Sequence, residues 1–211
     1  MTNPVFTLPE SGFEQVSFDL IVPRNANRME GRRTETRLFG TPYWTAQYRF
    51  ADLGYREFGQ ADAFIRKVTS RGGVFKAYDA FRPRPIEFAE SPIAWTPGIV
   101  SIVDPNTVIV DDVPNGAQFR EGDYVAFIMS NLVVSLHSIA SDALANGSGT
   151  VTLSIDAALD TQNFTTAAVP VFEKPYCLMQ PTNWTAAKSW GSRSPEFSAE
   201  EVFFYETETE Y

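Results

Sequence analysis

The feature that most constrains the fold is a series of short apolar segments, separated by polar turn sequences, in the second half of the chain. Clusters such as Asp104-Pro105-Asn106 and Asn146-Gly147-Ser148-Gly149 interrupt these segments. Such residues favour tight turns, and many short strands joined by polar turns are typical of a small antiparallel barrel or sandwich. The predicted strands are Ile99–Val103, Thr107–Val110, Asp123–Met129, Val133–Ile139 and Val151–Ile155.

The first third of the chain predicts strands and a single helix. Apolar and polar residues alternate in Gln15–Val22 and in Trp44–Phe50, and Val74–Tyr78 is a further apolar segment. This period of two is that of a strand with one buried face. Apolar residues spaced by three and four predict an amphipathic helix over Gln60–Ser70, which ends before Gly72-Gly73 because glycine readily adopts the left-handed conformation at a helix terminus.

Four prolines between positions 83 and 97 mark a connector, since proline removes a backbone donor. After position 173 the segments Tyr176–Gln180, Trp184–Trp190 and Glu196–Tyr205 become longer again. We therefore predict a mainly β protein in which residues 1–90 and 173–211 form a split antiparallel β-sandwich or barrel with the helix. Residues 95–172 would form an inserted, small barrel-like β module.

The composition excludes several classes of protein. The chain has 211 residues, 44% of them apolar, with one cysteine and one histidine. Neither an internal disulfide nor a metal site built from several Cys or His residues is therefore possible. No run is long and apolar enough to span a membrane, and no signal-peptide pattern stands at the start. His137 and Cys177 lie in predicted strands and are interpreted as structural, His137 in an outward position and Cys177 buried.

Carboxylates are the remaining source of catalytic or metal-binding chemistry. Asp111, Asp112, Glu121 and Asp123 form the densest group, which could bind calcium or act as a glycosidase-like acid and base. The same residue types are common in turns, which is the favoured interpretation. The glycine patterns of nucleotide-binding loops are absent.

Charge is distributed unevenly along the chain. Residues 1–84 contain 13 Lys/Arg against 9 Asp/Glu, whereas residues 85–211 contain 4 against 17. The segment Pro23–Arg37, predicted as an exposed loop, holds five arginines. Without interleaved aromatic residues, and in an acidic protein, specific nucleic-acid binding is disfavoured. Ion pairs with an acidic neighbouring subunit and plain solvation both remain open.

Several blocks taken together resemble a known family. A strand ends in Trp44-Thr45-Ala46-Gln47-Tyr48-Arg49-Phe50, the predicted helix follows, and Arg71-Gly72-Gly73-Val74-Phe75-Lys76-Ala77-Tyr78-Asp79 leads into the proline-rich connector. Gly122-Asp123-Tyr124-Val125, Gly149-Thr150-Val151-Thr152-Leu153-Ser154-Ile155 and Phe197-Ser198-Ala199-Glu200-Glu201-Val202-Phe203 come later. In this order the blocks resemble the distal tail proteins at the tail tip of long-tailed bacteriophages.

The resemblance implies a structural role in the virion, in a tail tip assembled in the host cytoplasm. Such proteins form a hexameric ring that joins the tail tube to the tail hub and to receptor-binding or side-fibre proteins. The resemblance implies no catalytic residue, cofactor or metal. It also implies a ring that passes DNA, for which a neutral or acidic lining is suited; the acidic residues 206–210 could lie there or be frayed.

A closed head-to-tail ring needs two different contact patches on each subunit. Arginine and aromatic residues are the candidates, although core packing is the favoured explanation of the aromatic residues. The proposed interface residues are Arg24, Arg28, Arg32, Arg33, Arg37, Tyr43, Tyr48, Phe203 and Tyr205.

Two other functions stay open from the sequence. A carbohydrate-binding β-sandwich would need an exposed aromatic platform, for which Trp95, Trp184 and Trp190 are candidates. A cell-wall glycan hydrolase would instead use the carboxylate group described above.

Overall fold

The computed structural model describes residues 3–10, 12–28, 34–38, 40–185 and 193–204. Its largest element is a six-stranded sheet with the order β1-β6-β15-β16-β5-β2. The β1 strand runs parallel to β6, and the other four pairings are antiparallel. The strands are β1 (Val5–Thr7), β2 (Phe13–Ile21), β5 (Tyr43–Phe50), β6 (Val74–Ala77), β15 (Cys177–Thr185) and β16 (Glu196–Glu201).

This sheet joins strands from the two ends of the sequence. The β16 strand pairs with β5 and β15 pairs with β6, which confirms the predicted pairing of the C-terminal segment with the first part. We call the sheet and its helix the scaffold, and residues 95–172 the insert. Whether the two parts are independent domains stays a prediction.

One helix, α1 (Tyr55–Ser70), packs on the inner face of the sheet. The Phe64 ring lies 5.5 Å from that of Phe75 and 6.3 Å from that of Phe197. The helix begins five residues before the predicted start, because the Glu57 carboxylate accepts the Gly54 N–H at 3.0 Å and caps the first turn. It ends as predicted, with Gly72 at a φ of +57°.

The insert contains three small sheets, ordered β11-β10-β14, β12-β9 and β13-β8-β7. None of these sheets closes into a barrel within the described residues. The mainly β class and the single helix are therefore observed, whereas the barrel and sandwich detail is not. The strands are β7 (Gly98–Asp104), β8 (Thr107–Asp111), β9 (Gln118–Phe119), β10 (Tyr124–Ile128), β11 (Val134–Ser138), β12 (Ala143–Leu144), β13 (Val151–Ser154) and β14 (Val169–Val171).

The β10 strand contributes to both hydrophobic cores. Tyr124 and Ala126 belong to the scaffold core, whereas Val125 and Phe127 belong to the core of the insert. All four are buried, and successive side chains of a strand point to opposite faces. The β11-β10-β14 sheet is thus a shared layer, with one face against the scaffold and the other against the insert.

The basic segment is not the loop that we predicted. It forms β3 (Arg24–Arg28) and β4 (Thr34–Leu38), which pair antiparallel as a two-stranded sheet of their own. We call this hairpin the arm. The sequence did not predict these two strands because polar and apolar residues do not alternate along them. The period of two that identifies a half-buried strand is therefore missing.

We expect Gly73→Ala to destabilise the protein, because a Cβ there would lie 2.7 Å from the Pro4 carbonyl oxygen, a backbone atom of the segment leading into β1. Such overpacking costs about 1–3 kcal/mol in the free energy of unfolding. The matched control is Gly59→Ala in α1, where a Cβ meets nothing within 4 Å. Helix propensity predicts that this control stabilises by about 0.5–1 kcal/mol. Urea denaturation measures the free energy of unfolding of both variants. Equal changes at the two glycines would contradict the close contact between position 73 and the Pro4 carbonyl.

Candidate functional site: arm, outer face and joint groove

The arm presents arginines on both of its faces. Arg24 lies opposite Leu38 and Arg37 lies opposite Asn25, so the two arginines point to opposite sides of the hairpin. Both are exposed, and neither makes an ion pair with a described residue. Arg28 lies in β3, whereas Arg32 and Arg33 lie outside the described residues.

Among the aromatic residues that we predicted at the interface, the prediction for Tyr48 is wrong. Its side chain is fully buried in the scaffold core, and its hydroxyl donates to the Tyr78 carbonyl at 2.7 Å. Burial also raises the pKa of Tyr48 well above its ordinary value. Tyr43 and Phe203 are half-buried, and Tyr205 lies outside the described residues.

The outer face of the scaffold sheet, turned away from α1, carries a patch of small polar residues over β2, β5 and β16. Ser17, Gln47 and Ser198 stand in one row across these strands. Asp19, Thr45 and Glu200 form the next row. A shallow depression of about 200 Å³ lies among these residues. On the same face of β6 and β15, by contrast, Val74 and Leu178 are buried in an apolar cluster.

A cavity that we call the joint groove lies where the proline-rich connector meets the insert. It has a volume of about 390 Å³. Phe81 and Ile86 are 61% and 66% exposed, so its apolar wall is open to solvent. The lining residues are Phe81, Arg82, Pro83, Arg84, Ile86, Ala89, Arg120, Glu121, Gly122 and Asp123.

Asp123 fixes the floor of the joint groove. Its two carboxylate oxygens accept the Ile86 N–H at 3.0 Å and the Arg120 N–H at 2.7 Å. Burial raises the pKa of Asp123, while these two hydrogen bonds oppose the rise. The carboxylate thus ties the connector to the turn before β10.

The three arginines of the joint groove are already paired. Arg82 donates to Asp79 at 3.0 Å and stacks over the Tyr124 ring, 4.4 Å from its centroid. Arg120 donates to Glu87 at 2.7 Å and to Asp142 at 2.9 Å. Because internal carboxylates occupy these guanidinium groups, the joint groove is not a site for a free anion.

Arg84 closes the neck where the chain enters and leaves the insert. Its guanidinium donates two hydrogen bonds to Glu173, at 2.6 and 2.7 Å, and Glu173 also accepts the Ile93 N–H at 3.0 Å. These donors hold the pKa of Glu173 below its usual range, although burial opposes the shift. Next to it, Lys174 has a φ of +48° and donates its N–H to the Pro83 carbonyl at 2.6 Å.

A second contact between scaffold and insert surrounds Trp44. Its indole N–H donates to the Leu136 carbonyl at 2.8 Å, and its backbone N–H donates to Glu201 at 2.9 Å. A small cavity of about 50 Å³ adjoins these residues. Burial raises the pKa of Glu201 to about 8, so this carboxyl group is largely protonated at neutral pH.

His137 faces inward, contrary to the prediction. It is 2% exposed, its ring lies 5.6 Å from that of Phe127, and burial lowers its pKa to about 4. Ser135 Oγ lies 2.8 Å from His137 Nε2, but no described carboxylate hydrogen-bonds to the ring as in a triad. Cys177 is fully buried, as predicted, and burial raises the pKa of its thiol.

The structure divides the carboxylate group. Glu121 and Asp123 line the joint groove, whereas Asp111 and Asp112 lie at the end of β8 and do not line it. Asp112 has a φ of +57°, which fits a turn residue. Of the three tryptophans proposed as a platform, Trp95 packs in the insert core beside Phe172, Trp184 is partly buried, and Trp190 lies outside the described residues.

Within the part of the chain that the structure describes, no three His, Cys, Asp or Glu side chains are grouped to hold a metal ion. The same part contains no helix that is both long and apolar enough to cross a bilayer. No protein-family model matches the sequence, and a search of curated proteins finds no significant match.

Of the residues that line the joint groove, the sequence predicted only Glu121 and Asp123 as candidates and not the arginines, although one signal for these existed. Arg120 is one of only four basic residues after position 84. An isolated cation in an acidic stretch indicates a specific ion pair. Its partners could not be identified, because Glu87 and Asp142 are distant in the sequence.

We expect the protein to become less stable as the pH rises, because of the raised pKa of Glu201. Its pKa is raised from 4.5 to about 8, so the folded protein holds a proton that the unfolded chain releases near pH 4.5. The free energy of unfolding should therefore fall between pH 4.5 and 8, and Glu201→Gln should remove that part of the fall. The difference in the free energy of unfolding between the variant and the parent protein should reach at least about 1 kcal/mol at pH 8.

Glu200→Gln is the control, since Glu200 is exposed on the outer face one residue away. Urea denaturation across the pH range measures all three proteins. A difference between Glu201→Gln and the parent that does not change with pH would contradict the burial of Glu201.

We expect Glu173→Gln to loosen the neck, because the variant loses both charge-assisted bonds from Arg84 and weakens the bond to Ile93. Hydrogen exchange of the Ile93 amide should accelerate roughly tenfold, the effect expected for one charge-assisted hydrogen bond. Glu14→Gln is the control, because Glu14 pairs with Arg49 at 3.4 Å in an exposed position. Unchanged exchange at Ile93 in Glu173→Gln would show that the bond does not protect this amide.

Proposed function

We propose that this protein is a structural component of a bacteriophage tail tip, of the distal tail protein type. Copies form a closed, hexameric ring that joins the tail tube to the tail hub and to receptor-binding parts. The sixfold number and the neighbouring components come from the family resemblance. In the same proposal the scaffold is sandwich-like and the insert barrel-like, with its three small sheets around one core.

The observation that carries the proposal is the arm. An isolated two-stranded hairpin is only marginally stable in water, and in this one Arg24 and Arg37 are exposed and make no ion pair with any described residue. Such an element gains stability when it packs on another surface. The acidic second part of the chain supplies that surface on a neighbouring copy, and opposite potentials favour one orientation of the two subunits.

The outer face supports the placement of the scaffold around a channel. Its patch over β2, β5 and β16 is built of small polar residues with Asp19 and Glu200, so this patch would not attract a passing DNA phosphate backbone. Among the described strands, none pairs with the other side of the nine-residue edge strand β2, which leaves backbone groups for contact with a neighbouring subunit.

We expect the purified protein to form rings that are visible by negative-stain electron microscopy, with a matching mass by light scattering. Replacing residues 24–38 with a short glycine–serine turn should abolish the rings, because it removes the arm. The variant should keep the circular dichroism and urea transition of the scaffold. The control is Arg66→Glu on the exposed side of α1, which should leave the rings intact. Intact rings without the arm would contradict its role, and a parent protein that stays monomeric would contradict the proposal.

A further inference from the structure

We propose that the joint groove receives arginine side chains from the arm of a second copy of this chain. This inference rests on the proposed ring and specifies one of its contacts. It names the acceptor surface for the arm, which the proposal above leaves open.

The charge around the joint groove favours a cationic occupant. Six carboxylates lie in the groove or pair with its arginines, against three guanidinium groups. Since each arginine already has a carboxylate partner, Glu121 remains as an exposed anion at the rim. The carboxylates are Asp79, Glu87, Glu121, Asp123, Asp142 and Glu173.

The apolar wall of the joint groove also fits an arginine. Phe81 and Ile86 are more than half exposed although they are large and apolar. A guanidinium group stacks on an aromatic face, and the aliphatic stem of arginine covers apolar surface. Arginine therefore satisfies both properties of the groove, whereas an acidic side chain satisfies neither.

The geometry of the arm lets one side of the hairpin face the groove. Arg24 and Arg37 point to opposite sides, and we assign to the groove the side of Arg24, which the exposed Ala26 shares. A cavity of about 390 Å³ is within the range that encloses small ligands, and it is large enough for side chains but not for the whole hairpin. Accordingly, side chains of the arm enter the groove while the arm backbone stays at its rim.

Photo-crosslinking tests this contact directly. A benzophenone amino acid replaces the exposed Ala26 in the arm, and a mixture of ¹⁵N-labelled and unlabelled protein is irradiated. Mass spectrometry should find mixed-isotope crosslinks to peptides that contain residues 81–90 or 119–124. Mixed crosslinks confined to other peptides, or crosslinks within one chain only, would overturn the inference while rings persist. A protein that stays monomeric and gives no mixed crosslink would overturn the proposed function as well.

A charge exchange provides the second test. Arg24→Glu should weaken self-association by about 3-fold to 30-fold, and Glu121→Arg in the same chain should restore much of the loss. The control pairs Glu121→Arg with Arg66→Glu, which should not show the restoration because Arg66 lies on α1. Sedimentation velocity measures association, and circular dichroism verifies that each variant is folded. If the arm variant weakens self-association equally with and without Glu121→Arg, the proposed pairing of the arm with the joint groove is overturned.

Discussion

The β10 strand packs alternate side chains against two different cores, and this double contact holds scaffold and insert in one arrangement. On one side the Tyr124 ring packs edge-to-face against the Trp44 ring, with centroids 5.7 Å apart, while Phe127 is fully buried on the other. Removing either core would expose one face of the same strand. The Arg84–Glu173 pair and the Trp44 hydrogen bonds then fix the two ends of the contact. A rigid contact of this kind suits a protein that holds neighbouring components in fixed positions.

The contact between scaffold and insert also determines which charged side chains are paired within one copy of the chain. The connector brings Arg84 from the basic part of the sequence against Glu173 of the acidic part, so the two parts neutralise each other there. The arm remains as a basic surface whose Arg24 and Arg37 have no ion-pair partner among the described residues, and the patch of the outer face over β2, β5 and β16 remains small and polar. In the proposed ring, copies of the chain supply for one another the pairing that a single copy lacks.

The sequence predicted the elements whose pattern is local. Most strands and the helix followed from periodicity and turn residues. The arm did not, because its polar strands carry no hydrophobic alternation. Tyr48 was misplaced because an aromatic residue on a strand fits a core and an interface equally well. The joint groove depends on contacts such as that of Arg84 with Glu173, 89 residues apart, which no local pattern encodes.

The central claim is that copies of this chain hold one another in a closed assembly. Native mass spectrometry over a hundredfold range of protein concentration tests it most directly. The account predicts one discrete oligomer at an integral multiple of 23.5 kDa, with free subunit and no larger species. A single subunit mass at every concentration, or an open-ended ladder of masses, would contradict it.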